Sequence, residues 1–145
     1  MKVLIQRVSA AKVEVKGEVC GQIERGIMAL VGLEPGDGQP QLEKMVHKLL
    51  NYRIFPDAEG RMNCSVQDVQ GGLLLVSQFT LAADTRSGLR PGFSTAAAPE
   101  QAEQLFVQFV AMARQVWPQV ATGCFGADMQ VSLTNDGPVT FLLQA

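Results

Sequence analysis

The chain has 145 residues and a net charge of -2, with 47% of residues hydrophobic and 18% charged. That is material for one packed core and excludes an intrinsically disordered protein, which has few aliphatics and a high net charge. The acidic balance gives no bulk attraction to nucleic acid or to an anionic membrane, though a local cluster of cations suffices to hold a short RNA end.

The opening MKVLIQRVSAAKVEV carries the cation and apolar stretch of a signal peptide, but Gln6 and Arg7 interrupt the run, so it reads as strand. Residues 2–8 and 12–16 predict two short strands, and Glu18–Ile23 continues the meander with turn positions at Gly17 and Gly21. Ile27–Leu33 is nearly continuously apolar, the mark of a strand covered on both faces. After the loop EPGDGQP, a helix is predicted over 40–50, opened by Pro40. Leu42, Met45, Val46, Leu49 and Leu50 form its apolar stripe, and His47 points off it toward solvent.

Tyr52–Phe55 predicts a short strand ended by Pro56, and DAEGRMNCSVQDVQGG a loop or irregular hairpin. Leu73–Phe79 is the most apolar strand candidate. The stretch AADTRSGLRPGFSTAAAPE that follows has neither helical nor strand period, and a loop of that length in a compact domain is usually functional or mobile. Pro99 opens a second helix with Glu100 and Glu103 in its first turn, burying Ala102, Leu105, Phe106, Phe109, Val110 and Ala113, and limited by Pro118. Met129, Val131 and Leu133 alternate with polar residues, NDGP reads as a turn, and VTFLL returns, so 128–143 predicts a hairpin. The fold class is α/β: residues 1–145 as a single domain, a mixed, mostly antiparallel sheet with two principal helices. No apolar run approaches the roughly 18 residues of a membrane span, so no membrane partner is expected.

Cys20, Cys64 and Cys124 are odd in number, far apart and without CxxC spacing, which suits reduced cysteines in a cytoplasmic protein better than a disulfide framework or a zinc site. With His47 alone, HExxH-type sites are impossible, and no GxSxG elbow supports a Ser-His-Asp triad. No GxGxxG or GxxxxGK[ST] loop is present either, so neither metal nor nucleotide cofactor is expected.

Chemistry is left with two places. At Ser77-Gln78-Phe79-Thr80 an apolar strand gives way to a hydroxyl, an amide, an aromatic ring and a second hydroxyl. With strand alternation Ser77 and Phe79 point one way, Gln78 and Thr80 the other. Backbone N–H groups at such a strand end can stabilise an oxyanion, and Ser77 or Thr80 can hold a water or act as a nucleophile. The plain alternative is hydroxyls that satisfy local backbone groups. Asn135-Asp136-Gly137-Pro138-Val139-Thr140 reads as a hairpin turn, except for the proline directly after glycine. An X-Pro bond keeps a trans preference of only about 0.5–1 kcal/mol. Held cis, Gly137-Pro138 would aim two carbonyl oxygens outward as acceptors for an ammonium group. Arg86 and Arg90 in the period-free loop, and Lys2, Arg7, Lys12 and Lys16 on the first strands, are either solvated surface or a few phosphate contacts near a site.

Together SQFTL followed by AD, and NDGPVT near the C-terminus, resemble the paired signature motifs of the D-aminoacyl-tRNA deacylases. MKVLIQRVSAAKVEV, RPGFSTAAAPE and GCFGADMQVSLTNDGPVT are similar to that family as well, so the resemblance covers essentially the whole chain. It implies a deacylase-like fold and a cytoplasmic homodimer that hydrolyses the ester between a D-amino acid, or mischarged glycine, and the 3′ end of tRNA. It further implies that Gly137 and Pro138, in cis, reach into the other subunit's site and hold the substrate α-amino group so that an L side chain collides. Ser77, Gln78, Phe79 and Thr80 would face the scissile ester, with the N–H groups of Gln78 and Phe79 as oxyanion donors. Phe125, Gly126 and Met129 would line the pocket for the terminal adenosine, and the ribose 2′-hydroxyl would assist water attack. Competing readings are a hydrolase of small D-amino-acid esters with Thr80 as nucleophile, and a non-catalytic module that binds an RNA end or an amino acid.

Overall fold

Alternation of apolar residues along the N-terminal segment produces a single strand, where two were expected. In the computed structural model, which describes residues 1–145, β1 runs unbroken from Lys2 to Val15. It stays one strand because a partner, β8 (Gln130–Gln144), pairs antiparallel along its whole length. Between the two expected strands the ladder holds a register shift at Val8/Ala10. There the side-chain parity flips: Val3 and Ile5 belong to one core, Val8, Ala11 and Val13 to another.

The other edge of β1 is shared by β2 (Glu18–Ile23) and β3 (Gly26–Gly32), which pair with its second and first halves. Lys16 and Gly17, both at positive φ, make the two-residue turn from β1 to β2 that matches the natural strand twist. The crossover from β3 runs through α1 (Gln39–Asn51) and the small hairpin of β4 (Phe55–Pro56) and β5 (Met62–Cys64) to β6 (Gly72–Ser77), parallel to β3. The predicted Tyr52–Phe55 strand thus shrinks to Phe55–Pro56, because only those residues find a partner. A second crossover, α2 (Pro99–Val116), leads to β7 (Val120–Thr122), parallel to β6. The order β2-β1-β3-β6-β7, with β8 on β1, is a mixed sheet with antiparallel pairs in the majority.

Both faces of this sheet are covered. Ile27, Ala29 and Val31 of β3 and Leu73 and Leu75 of β6 pack against the predicted stripes of α1 and α2. Each fully buried aliphatic there contributes about 1.5–3 kcal/mol. Met28, Leu74 and Val76 point the other way and meet Val8, Ala11 and Val13 in a second, smaller core. That core exists because the sheet curls until β2 meets β7. A methyl group built on Gly21 would sit 2.9 Å from the Thr122 carbonyl carbon and nearer still to its oxygen, so only glycine permits the closure.

The C-terminal segment corrects a second expectation. Residues 128–143 do not fold back as a hairpin: β8 continues straight through NDGP, pairing Val8 with Asn135 and then Gln6 with Thr140. Asp136–Val139 form a bulge opposite Arg7, because β1 is long enough to pair with both flanks of the turn-like sequence. No helix is long and apolar enough to cross a membrane.

Candidate active site

The third correction falls on the first motif. The strand β6 stops at Ser77, and Phe79–Ala82 form a short 3-10 turn, so the alternation expected through Thr80 does not occur. Gln78 still donates its backbone N–H to Val31 O (2.8 Å), while its carbonyl accepts from Leu81 N (3.2 Å). The turn can sit on the end of β3 because Gly32 has no side chain: a Cβ there would lie 3.0 Å from Leu81 Cβ and 3.2 Å from Gln78 O. The Gln78 N–H is therefore occupied. The leading N–H groups of the turn, those of Phe79 and Thr80, have no acceptor within it. The Thr80 hydroxyl accepts a hydrogen bond from Gln78 Nε2 at 2.5 Å.

Beside this turn lies a cavity of about 670 Å³. Val31 and Leu33 form its floor, Val76 to Phe79 one wall, and Phe93, Ala96–Pro99 and Ala102 a second. The segment Phe125–Met129 and Val131 complete it. Phe125 is braced by Phe106 of α2, with ring centroids 6.0 Å apart, and Gly123 is bare because a Cβ would fall 2.8 Å from Met129 Sδ. The lining is apolar apart from the Ser77 hydroxyl, the Gln78 amide and the Asp128 carboxylate, the pattern of a small-ligand site. His47 lies on the exposed side of α1 and not in the lining. Cys20 and Cys124 are also outside it, and burial together with a hydrogen bond to Cys124 pushes the Cys20 thiol up. No three His, Cys, Asp or Glu side chains converge as a metal site would need.

The period-free stretch after the turn is pinned at its base. Asp84 and Gly92 exchange both backbone hydrogen bonds (2.7 and 2.9 Å), Thr95 Oγ1 donates to Ala82 O (2.6 Å), and Ala97 N–H donates to Leu33 O (2.9 Å). Arg86 donates from Nε and Nη2 to the two Asp84 oxygens, both at 2.8 Å. This pairing holds the Asp84 carboxyl well below the usual carboxylate range.

The second motif is held away from the cavity of its own chain. The Gly137-Pro138 peptide is cis, and both residues are exposed on the β8 bulge. Arg7 supports the bulge, donating from Nε to Asp136 O (3.0 Å) and from Nη1 to Ile54 O (2.8 Å). Asn135 Oδ1 accepts from Val139 N–H (2.9 Å), and its Nδ2 donates to Thr140 Oγ1 (2.9 Å). Gly137 has φ +136, and a Cβ would stand 3.1 Å from Arg7 Nη2.

Among the residues singled out from sequence, Ser77, Gln78, Phe79, Phe125, Gly126 and Met129 share the cavity. Thr80 adjoins it through Gln78, and Gly137 and Pro138 lie elsewhere. Phe93, Ala96–Ala98 and Asp128 were not anticipated, since nothing in their spacing marks them. Arg7 had a signal, a cation in the middle of an apolar strand.

Residues 4–144 match a family model described as D-Tyr-tRNA(Tyr) deacylase. A curated D-aminoacyl-tRNA deacylase of Pseudomonas aeruginosa is 67% identical over 145 residues, covering all of both chains. One of Azotobacter vinelandii is 63% identical, again over the full length of both. Among solved structures, a c-Myc DNA Unwinding Element Binding Protein superposes with TM-score 0.96 at 43% identity, over 100% of this chain and 99% of that one. A structure described as a probable eukaryotic D-amino acid tRNA deacylase superposes with TM-score 0.87 over 99% and 98% of the two chains; at 17% identity it shows shared fold alone.

Proposed function

The chain belongs to the D-Tyr-tRNA(Tyr) deacylase family and is a hydrolase of D-aminoacyl-tRNA, and from that premise we propose how its residues divide the work. Residues 1–145 act as one deacylase domain, as a homodimer, in the cytoplasm where charged tRNA is used. The observation that carries this reading is a separation. Ser77–Phe79 and Phe125–Met129 wall one cavity, while Gly137 and Pro138 stand exposed outside it, free to enter the cavity of a second copy.

In that arrangement the terminal adenosine lies against Phe125, Gly126 and Met129, with the ester over Ser77 and Phe79. Water attacks the ester carbonyl carbon and the bond to the ribose 3′-oxygen breaks, the proton passing to that oxygen with help from the 2′-hydroxyl. The N–H of Phe79 takes the developing oxyanion, a role for which the Gln78 N–H is unsuited because Val31 O already accepts it. No imidazole lines the cavity, so this reading contains no histidine base, and the RNA 2′-hydroxyl assists instead. Thr80 serves to position the Gln78 amide and forms no covalent intermediate.

The partner subunit's Gly137 and Pro138 offer carbonyl oxygens to the α-ammonium group. With that group fixed, an L side chain meets the motif and a D side chain points away, while glycine has no side chain to be refused and is removed too. The test compares hydrolysis of D-tyrosyl-tRNA and L-tyrosyl-tRNA by the purified protein in EDTA, with sedimentation for the oligomeric state. Rapid loss of the D ester alone, by a dimer, is the expected result. Equal loss of both esters sinks the Gly137-Pro138 filter, and a monomer with full selectivity sinks the shared site.

A further inference from the structure

We infer that the strap Asp84–Phe93 is a grip for the single-stranded RNA leading into the cavity, with Arg90 and Arg86 on backbone phosphates and the Phe79–Phe93 ring pair beneath a base. This rests on the deacylase reading of the cavity. The chain leaves the cavity lining at Phe79, passes through the short turn into the strap and returns to the lining at Phe93, so whatever the strap holds lies next to the cavity mouth. It is also a built element: the paired Asp84 and Gly92 backbones close its base, and Asp84 fixes the Arg86 guanidinium through two bonds. That pairing leaves Arg86 Nη1 without a partner, and Arg90 makes no hydrogen bond or ion pair.

Charge and surface chemistry select the occupant. The chain as a whole is at -2, so an RNA end is held only where cations gather locally. Between Asp84 and Gly92 the charged side chains are Arg86, Arg90 and Asp84, and the one carboxylate is already spent on Arg86. At the foot of the strap two aromatic rings face solvent: Phe79 is 58% and Phe93 46% exposed, with centroids 5.3 Å apart. Cations beside exposed aromatic faces are how proteins hold single-stranded nucleic acid without reading its sequence.

The experiment compares D-tyrosyl-tRNA with D-tyrosyl-adenosine, which carries the same ester and no backbone phosphate. Arg90→Ala, and Arg86→Ala with Arg90→Ala, are expected to raise KM for the tRNA ester roughly three- to tenfold per lost contact, with kcat unchanged. They leave the adenosine ester untouched. The slope of log kcat/KM against log salt becomes shallower by about 0.7 for each arginine removed. Equal loss on both substrates means a structural effect and overturns the grip, as do unchanged KM and salt slope in the double variant. An unaltered protein that hydrolyses neither ester strikes the reading of the cavity itself, and the grip falls with it.

Discussion

Removing the Arg7 side chain tests how the second motif is placed. Arg7 is only 12% exposed and donates to Asp136 O and Ile54 O, while its Nε lies 3.5 Å from Asp136 Oδ2. Asp136 is on the surface, so water replaces the guanidinium there in Arg7→Ala; Ile54 is buried, and its carbonyl loses its partner. An unsatisfied buried acceptor costs about 1–3 kcal/mol. For 145 residues the entropy of unfolding is about 0.3 kcal/mol/K, so about 2 kcal/mol lowers Tm by about 7 °C. The larger consequence is positional. Without the guanidinium the bulge keeps only its paired flanks, Asn135 and Thr140, as ties to β1, and a shift of about 1 Å at a site costs on the order of 10²-fold in rate. Single-turnover hydrolysis of D- and L-tyrosyl-tRNA is expected to show slower D cleavage and a D/L ratio reduced at least about tenfold. Arg7→Lys falls between, because one ammonium cannot span both carbonyls. A variant with the lower Tm but the D rate and D/L ratio of the unaltered protein refutes the reasoning: Arg7 would then stabilise the fold without placing the motif.

Three further outcomes follow from the geometry. Gly21→Ala forces β2 from Thr122 and costs about 1–3 kcal/mol, a Tm loss of about 3–10 °C, whereas Gly36→Ala, with nothing within 4 Å, stays within about 2 °C; equal melting of the two refutes the closure. Thr80→Ala removes only the acceptor for Gln78 Nε2 and keeps D-tyrosyl-tRNA hydrolysis within roughly tenfold; a fall to the uncatalysed rate restores Thr80 as nucleophile. Asp57, held low by Asn63 and the Arg61 N–H, and Asp68, held low by Ser65, have depressed folded pKa values, so their contribution is present above the unfolded pKa near ~3.9 and is lost as pH falls through the folded ones. Thermal melts are therefore expected to drop below about pH 4, and Asp57→Asn with Asp68→Asn to flatten that limb; an unchanged limb counts against it.

The helices were legible because periodicity alone defines them: each predicted stripe, Leu42 to Leu50 and Ala102 to Ala113, is the buried one. The strand ends were not. Ser77 to Thr80 read as continuing strand because nothing local reports that Gly32, forty-five residues earlier, leaves room for a turn. NDGP carries a strong hairpin signal, and only the length of β1 overrules it. Of the cavity, the two marked segments were found and the Ala96–Ala98 wall was missed, because small apolar residues gain meaning only from what they stand beside.

Because Asp136–Val139 are a bulge and not a hairpin tip, both of their flanks are locked into the ladder with β1. A hairpin tip accepts an extra residue by lengthening into solvent. Here an insertion in the paired flank 130–135 that slips the ladder by one residue would turn every following side chain, buried Val139 and Leu143 included, to the opposite face. The same strand carries Val131 of the cavity wall at its other end, so chain length between wall and motif is fixed as a ruler is, and tolerance to substitution in this segment does not extend to tolerance of length.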